Sequence, residues 1–179
     1  MIFLAPRSVD TSEVCLKLDE THCKILNLLQ ENCRMPLTTI AKSVGLSIDA
    51  VKKRMTKMIA EGVFHPRIQL RPRSFGFTNI VEAKIKLHHM TQEDLDLFVS
   101  HLQHHPRVVE FFALSGPSDF SIVYLAKNPV DQNAVVSDIR RTFGRIISSW
   151  EESSTLKVYK FEHYDMLKLH SDMGGESRK

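Results

Sequence analysis

The sequence lacks a paired-cysteine motif and lacks any long apolar run. Its three cysteines, Cys15, Cys23 and Cys33, lie 8 and 10 residues apart, so there is no CxxC pair. This spacing argues against a zinc ribbon and a dithiol redox site, and the odd number favours reduced thiols. No apolar stretch reaches the length of a membrane span, and residues 1–4 are too short for a signal-peptide core. We therefore expect a cytoplasmic protein that makes no membrane contact, and we expect no cofactor.

Positive charge is concentrated in the front of the chain. The net charge is only +3, with 42% hydrophobic and 25% charged residues, which is typical of a globular protein. Residues 1–73 hold 12 Lys and Arg against 7 Asp and Glu, whereas residues 74–179 hold 12 against 14. A front of +5 joined to a back of −2 indicates an anion-binding module attached to a second domain.

Three short helices are predicted in the basic front. Capping residues and apolar residues at helical spacing favour helices over residues 19–31, 37–44 and 47–61. Gly45 interrupts the second helix with a tight turn, and Ser47 is a good N-cap for the third. This order is typical of a helix-turn-helix, whose last helix can enter the DNA major groove.

The third predicted helix is densely basic. Lysine and arginine neutralise phosphates, and in the major groove they also hydrogen-bond to guanine O6 and N7. Residues at the helix N-terminus come within reach of base edges. The predicted DNA-binding residues are Arg34, Ser47, Ile48, Asp49, Ala50, Lys52, Lys53, Arg54 and Lys57.

Several of these assignments have a structural alternative. The basic cluster taken alone also fits an ordinary solvated helix face. Asp49 either accepts a hydrogen bond from cytosine N4 or favours the helix dipole. Arg54 borders the buried face and alternatively pairs with an acidic neighbour. Arg34 either contacts phosphate or caps helix-end carbonyls.

A basic strand is predicted directly after the helices. Arg67, Gln69, Arg71 and Arg73 alternate with apolar residues, which is the period of a strand with one basic face. We interpret it as a wing or linker strand. Its charges either contact phosphate or discourage pairing at an exposed sheet edge.

The back half alternates strands and helices. Patterning predicts strands at 81–87, 108–114, 120–126 and 149–161, with one helix after Thr91 and another after Asn128. The order β-α-β-β-α-β is a ferredoxin-like αβ-sandwich, so the fold class is α+β, an N-terminal winged helix-turn-helix plus this sandwich. The predicted domains are an N-terminal arm (1–17), a winged helix-turn-helix DNA-binding domain (18–66), a linker strand (67–78), an αβ-sandwich for effector binding and oligomerisation (79–165) and a C-terminal tail (166–179).

Specific residues in both halves match a known family. They are Leu18-Asp19, Ile25-Leu26, Leu28-Leu29-Gln30, Arg34, Ile40-Ala41, Val44-Gly45-Leu46-Ser47, Val51, Arg54, Gly62-Val63, Ser115-Gly116 and Asp119-Phe120. Over roughly residues 18–165 this set resembles the Lrp/AsnC, or feast/famine, transcription regulators. The resemblance implies a regulator that binds double-stranded DNA and forms a homodimer, with further assembly to a tetramer or octamer. It also implies a small effector, commonly an amino acid.

The predicted effector site is a glycine–aspartate turn, and its residues are Gly116, Ser118 and Asp119. Backbone N–H groups beside a carboxylate can hold the carboxylate and ammonium of an amino acid. Alternatively, Gly116 only provides turn geometry, and Asp119 satisfies the turn through side-chain hydrogen bonds. Pro117 removes one backbone donor from this turn.

Three further functions are weighed against DNA binding. His101, His104 and His105 are potential metal ligands. Because the sequence shows no second group of ligands to complete a site, we expect no metal. Siroheme decarboxylases share the two-domain layout but are expected to carry a histidine in the turn at residues 114–120, which contains none. We therefore expect that the protein is not an enzyme. A ligand-sensing oligomer without DNA binding fits the back half but leaves the basic front unexplained.

Overall fold

The computed structural model describes residues 16–172, which divide into two compact units. Residues 16–69 and 160–172 form the helical unit, and residues 70–159 form the sandwich unit. The N-terminal arm predicted over residues 1–17 lies outside the described part of the chain, except for its last two positions.

The helical unit contains the three predicted helices, α1 (Glu20–Glu31), α2 (Leu37–Val44) and α3 (Ile48–Ala60). Asp19 begins α1 through a reciprocal capping arrangement with His22. The Asp19 carboxylate accepts from the His22 N–H at 2.8 Å, and His22 Nδ1 accepts from the Asp19 N–H at 3.1 Å. Two otherwise unpaired donors at the helix start are thereby satisfied.

A glycine turn separates α2 from α3. Gly45 has a φ of 70°, in the left-handed region that glycine adopts without steric cost. Ser47 then caps α3, because its Oγ accepts from the Ala50 N–H at 3.2 Å. The buried side chains of the three helices form one core, made of Ile25, Leu26, Leu29, Ile40, Ala41, Val51 and Met58.

The sandwich unit confirms the predicted β-α-β-β-α-β order and the α+β fold class. Its elements are β1 (Asn79–Leu87), α4 (Gln92–His104), β2 (Val108–Ala113), β3 (Phe120–Ala126), α5 (Pro129–Phe143) and β4 (Ile147–Ser154). The four strands form one antiparallel sheet in the order β2-β3-β1-β4. Phe98 and Leu102 on α4 and Ile139 on α5 are fully buried in a core shared with the sheet.

Two strand predictions were wrong. The alternating segment predicted as a linker strand is neither helix nor strand up to position 71, and Pro72–Phe75 then form a short 3-10 helix. A strand needs a partner for its backbone groups, and none pairs with this segment among the described residues. The last strand ends at Ser154 rather than at Phe161. Ser154 pairs with Val81 near the start of β1, so little of β1 remains to pair with later residues.

The predicted C-terminal tail contains a helix, α6 (Met166–Asp172), which belongs to the helical unit and contacts α1. The Gln30 side chain donates to the Tyr164 carbonyl at 2.9 Å and accepts from the Tyr164 N–H at 2.7 Å. The Met166 N–H donates to Asn27 Oδ1 at 2.9 Å. Side-chain amides of α1 therefore hold the segment that precedes α6.

Candidate nucleic-acid interface and ligand-binding turn

The outer face of α3 is polar and basic. Asp49, Lys52, Lys53 and Thr56 are exposed and line one shallow depression on the helix surface. Their spacing of i, i+3, i+4 and i+7 puts them on one side of the helix. Lys57, on the next turn, is also exposed. The arrangement can present ammonium groups to a polyanion over two helical turns.

The inner face of α3 fixes the orientation of this basic face. Val51 and Met58 are fully buried in the core of the helical unit, while Met55 is half-buried. Ile59, the residue after Met58, is 39% exposed. The two fully buried side chains are one helical repeat of seven residues apart, so they set the rotation of α3 about its axis.

In the first turn of α3 some side chains cap the helix and others are exposed to a binding partner. Ser47 uses its oxygen as the N-cap acceptor for the Ala50 N–H, which leaves only its hydroxyl proton for another partner. Ile48 is 45% exposed at the helix start. Asp49 lies in the first turn, where a carboxylate favours the positive end of the helix dipole.

Arg54 is engaged inside the helical unit. Its Nη1 donates to Asp19 Oδ2 at 2.7 Å and lies 3.0 Å from His22 Nε2. This is the acidic pairing that the sequence offered as the alternative to DNA contact. Burial favours a higher pKa for Asp19, but the His22 N–H and the Arg54 guanidinium lower the pKa below its ordinary value. Burial lowers the pKa of the His22 imidazole, which favours its neutral form beside Arg54.

Two other predicted phosphate contacts differ in their surroundings. Arg34 is exposed in the loop between α1 and α2, where its backbone N–H donates to Asn32 Oδ1 at 3.0 Å. Arg73 instead donates its guanidinium protons to the carbonyls of Thr78, Thr155 and Leu156 within the sandwich unit. Arg73 therefore connects the segment that precedes β1 with the segment that follows β4.

Asp119, in the predicted effector turn, accepts one hydrogen bond at each carboxylate oxygen. Its Oδ1 accepts from Lys86 Nζ at 2.7 Å, and its Oδ2 accepts from the Leu87 N–H at 2.7 Å. The Lys86 ammonium, followed by the Leu87 N–H, lowers the pKa of this carboxyl below its ordinary value. Lys86 was not among the predicted site residues. Its only signal in the sequence was its place on the alternating strand β1.

The other two predicted effector residues differ in their exposure to solvent. Gly116 is exposed and has a φ of 152°, inside the region that favours glycine, while Ser118 is half-buried. The Leu114 N–H donates to the Asp119 carbonyl at 2.8 Å, and the Asp119 N–H donates to the Ile85 carbonyl at 2.9 Å. These bonds connect the turn to β1 and position the Asp119 side chain.

A second carboxylate, Glu152, gathers donors from three elements of the sandwich unit. Its Oε1 accepts from the hydroxyl of the fully buried Tyr124 at 2.6 Å and from Trp150 Nε1 at 2.7 Å. Its Oε2 accepts from Gln132 Nε2 at 2.8 Å. Burial, followed by the bond to Glu152, raises the pKa of Tyr124 above its ordinary value. Sequence patterns assigned no role to Trp150 or Glu152, and in the structure both belong to this network.

Within the described part of the chain, every helix is too short or too polar to cross a bilayer.

Comparison with known proteins agrees with both units. Residues 18–59 match the AsnC-type helix-turn-helix domain, and residues 80–152 match the Lrp/AsnC ligand binding domain. The chain is 29% identical over 167 residues to the glutamate uptake regulatory protein of Zymomonas mobilis, covering 91% of this chain and 98% of that protein. It is 30% identical over 104 residues to the proline dehydrogenase transcriptional activator of Rhodobacter capsulatus, covering 58% of this chain and 68% of that protein.

A solved structure shares the fold. The transcriptional regulator of Neisseria meningitidis, determined as a complex with L-Met, aligns with a TM-score of 0.74 at 23% identity. The alignment covers 80% of this chain and 93% of that chain. The predicted resemblance is confirmed by the two domain matches and by these relatives: the chain belongs to the Lrp/AsnC family of DNA-binding transcription regulators.

Proposed function

We propose that the chain binds double-stranded DNA in a sequence-dependent manner by placing α3 in the major groove. The observation that carries this proposal is the exposed face of α3, where Lys52, Lys53 and Lys57 lie opposite the buried Val51 and Met58. The buried residues fix the orientation of the helix. Among the described residues none of the three ammonium groups forms a salt bridge, so they can meet a phosphate backbone without first breaking one.

The proposed contacts divide into two kinds. Lys52, Lys53 and Lys57 contact phosphates or guanine edges, and Arg34 contacts a phosphate beside the groove. The helix start, Ser47 to Ala50, faces base edges, as the first turn of a recognition helix does. Ile48 supplies an apolar contact such as that with a thymine methyl group, and Asp49 accepts from cytosine N4. Arg54 acts indirectly, because its pair with Asp19 holds α3 against α1.

The active form in this proposal is a homodimer that presents two α3 helices. β2 lies at the edge of the sheet, and Val109 and Phe112 on it are 51% and 52% exposed, with Leu114 directly after it. Exposed apolar side chains in one region favour a protein partner. A symmetric dimer prefers a near-palindromic operator, with half-sites about one helical turn or a multiple of it apart. Further assembly to a tetramer or octamer belongs to the same proposal.

The proposed effector is an amino acid bound near Gly116, Ser118 and Asp119. The match to a ligand binding domain supports this, as does the L-Met complex of the Neisseria relative. Because both oxygens of Asp119 are already engaged, we propose an exchange at this carboxylate. The ammonium of the amino acid replaces Lys86 Nζ on Oδ1, and the freed lysine pairs with the carboxylate of the amino acid. If candidate amino acids change neither the sedimentation profile nor the DNA affinity, the effector proposal fails.

The enzyme alternative is a siroheme decarboxylase on the same two-domain layout. Residues 114–120, where a siroheme decarboxylase is expected to carry a histidine, contain none. Addition of the tetrapyrrole should therefore produce no haem-type absorbance band.

The experiment that tests DNA binding is fluorescence anisotropy with the DNA upstream of the protein's own gene. Scrambled DNA of equal length is the control, and the titration is repeated over a salt series. We expect a preference for the upstream sequence and a log–log salt slope of about −0.9 per phosphate contacted. Equal, weak binding to both DNAs would refute sequence-dependent binding.

A further inference from the structure

Two histidines and an aspartate meet on the helical face of the sandwich unit. His101 lies on α4, His105 is the C-cap residue of α4, and Asp138 lies on α5. Each residue offers one potential ligand atom, and these three atoms all lie within 4.8 Å of one another. The two histidines are four positions apart, so one helical turn brings their rings to the same side. Asp138 is more than thirty residues away in sequence and reaches the cluster only through the packing of the sandwich.

His101 has hydrogen-bonding capacity that its surroundings do not use. Among the described residues its Nε2 is a buried side-chain nitrogen without a hydrogen-bond partner. The ring contacts Phe143, with 5.1 Å between ring centroids, and His105, with 5.7 Å. An unpaired buried polar atom costs free energy, and such an atom in a native fold calls for an explanation.

We propose that His101, His105 and Asp138 form a binding site for a divalent transition-metal ion, with Zn²⁺ as the best fit. Imidazole nitrogen and carboxylate oxygen are common zinc ligands, and three protein ligands leave a fourth position for water or an exogenous ligand. Imidazoles are poor ligands for Mg²⁺ and Ca²⁺, which prefer oxygen. The site lies outside the helix-turn-helix and the glycine–aspartate turn, so the inference does not depend on the proposed DNA or effector contacts.

Metal binding requires the three ligand atoms to move closer together and one hydrogen bond to be given up. Zinc bonds of about 2.0–2.1 Å in tetrahedral geometry separate ligand atoms by about 3.3 Å. His105 Nε2 and Asp138 Oδ2 are 3.9 Å apart and must close by less than about 1 Å. No pair of ligand atoms is more than 4.8 Å apart, so no pair must close by more than about 1.5 Å. His105 Nδ1 accepts from the Arg107 N–H at 3.2 Å. When Nε2 binds metal, Nδ1 carries the proton, so this hydrogen bond is given up.

The aspartate can bind without losing its present partner. Arg141 donates to Asp138 Oδ1, while Oδ2 is the oxygen that faces His105. The guanidinium can therefore remain as the outer partner of a metal-bound carboxylate. A bound ion would tie α4 to α5 and stabilise the sandwich unit, because it binds the folded chain.

Cobalt(II) absorption and zinc-dependent melting test the proposal, using the full chain without a purification tag. The Cys33→Ser background removes an exposed thiol that can bind metal elsewhere. We expect one Co²⁺ per chain with visible d–d bands, displacement by Zn²⁺, and a higher Tm with Zn²⁺. His101→Ala should weaken Co²⁺ binding by at least about tenfold and abolish the Tm shift. Asp138→Asn changes a half-exposed side chain and should act in the same direction without unfolding the protein.

His104→Ala is the matched control. His104 is the exposed neighbour of His105, and its Nδ1 lies 2.7 Å from the Ser100 carbonyl, outside the three-residue cluster. This variant should keep the cobalt spectrum and the Tm shift. The proposal is overturned if the Cys33→Ser protein binds no Co²⁺. Binding that survives in His101→Ala and Asp138→Asn, or that is lost equally in His104→Ala, also overturns it.

Discussion

Polar groups of the helical unit and of the sandwich unit are used differently. On α3, Lys52, Lys53 and Lys57 are exposed on a helix that two buried residues hold in place. In the sandwich unit, both carboxylate oxygens of Asp119 and of Glu152 already accept hydrogen bonds from the same unit. An exposed charged side chain on a helix that the core holds in place is available to a binding partner. A carboxylate whose two oxygens accept hydrogen bonds within its own unit stabilises the fold. The DNA proposal therefore needs no rearrangement, and the effector proposal needs an exchange of ion partners.

The largest expected effect on stability is at Glu152, one of the two hydrogen-bonded carboxylates of the sandwich unit. Glu152→Ala leaves the Tyr124 hydroxyl, Trp150 Nε1 and the Gln132 amide without their acceptor. Since Tyr124 is fully buried, the free energy of unfolding should fall by about 2–3 kcal/mol, measured by urea denaturation. Glu151→Ala, an exposed neighbour on β4, is the control and should change stability by less than about 0.5 kcal/mol. Equal effects of the two variants would mean that the network does not stabilise the unit.

A smaller loss is expected at the glycine–aspartate turn. Asp119→Ala removes the acceptor of Lys86 and of the Leu87 N–H, and should lower the free energy of unfolding by about 1–2 kcal/mol, since the site is partly exposed. The folded-state pKa of Asp119 is lowered. Its contribution is therefore complete above the ordinary value of 3.8 and is lost as pH falls through the lowered pKa.

Ser118→Ala is the matched control for that variant and should stay within about 0.5 kcal/mol of the unchanged chain. A stability difference between Asp119→Ala and the unchanged chain that persists below the lowered pKa would contradict this account of the carboxylate. The measurement is a set of urea denaturation curves between neutral and strongly acidic pH.

A third prediction concerns His22, a titratable residue of the helical unit whose side chain accepts a hydrogen bond at the start of α1. Burial lowers the folded-state pKa of His22 below its ordinary 6.5, so the unfolded chain binds the proton more tightly. His22 should therefore lower the stability progressively as pH falls below about 6.5 and have no such effect above it. His22→Gln keeps a residue suited to the capping box and removes the titration, so its stability should vary less with pH between 7 and about 5.5. An unchanged pH profile, measured by thermal denaturation, would refute this role of His22.

Local patterns were enough for much of the fold. The helix at Leu37–Val44 and the strand at Phe120–Ala126 begin and end where periodicity and turn residues placed them. The exposed basic face of α3 also followed from spacing alone. The segment at 67–73 shows the limit of this method. A strand period is necessary for a strand, but the pairing partner is a tertiary property.

Contacts between distant residues could not be predicted. The helix Met166–Asp172 is only seven residues long and is held through Asn27 and Gln30, more than 130 positions earlier. The donors around Glu152 come from β3, α5 and β4, and no local pattern relates them. Asp138 likewise joins the two histidines only after α4 and α5 pack on one sheet.

The central claim is that the exposed lysines of α3 bind DNA, and paired charge-removal variants test it most directly. Lys53→Ala/Lys57→Ala removes two charges from α3, and Lys127→Ala/Lys157→Ala removes two exposed charges from the sandwich unit. Both are titrated against the upstream DNA by fluorescence anisotropy over a salt series. The α3 variant should bind about tenfold more weakly or worse, with a salt slope shallower by about 1.8, while the control keeps the original values. Equal affinities and slopes in the two variants would contradict the account and reduce the basic helix to a solvated surface.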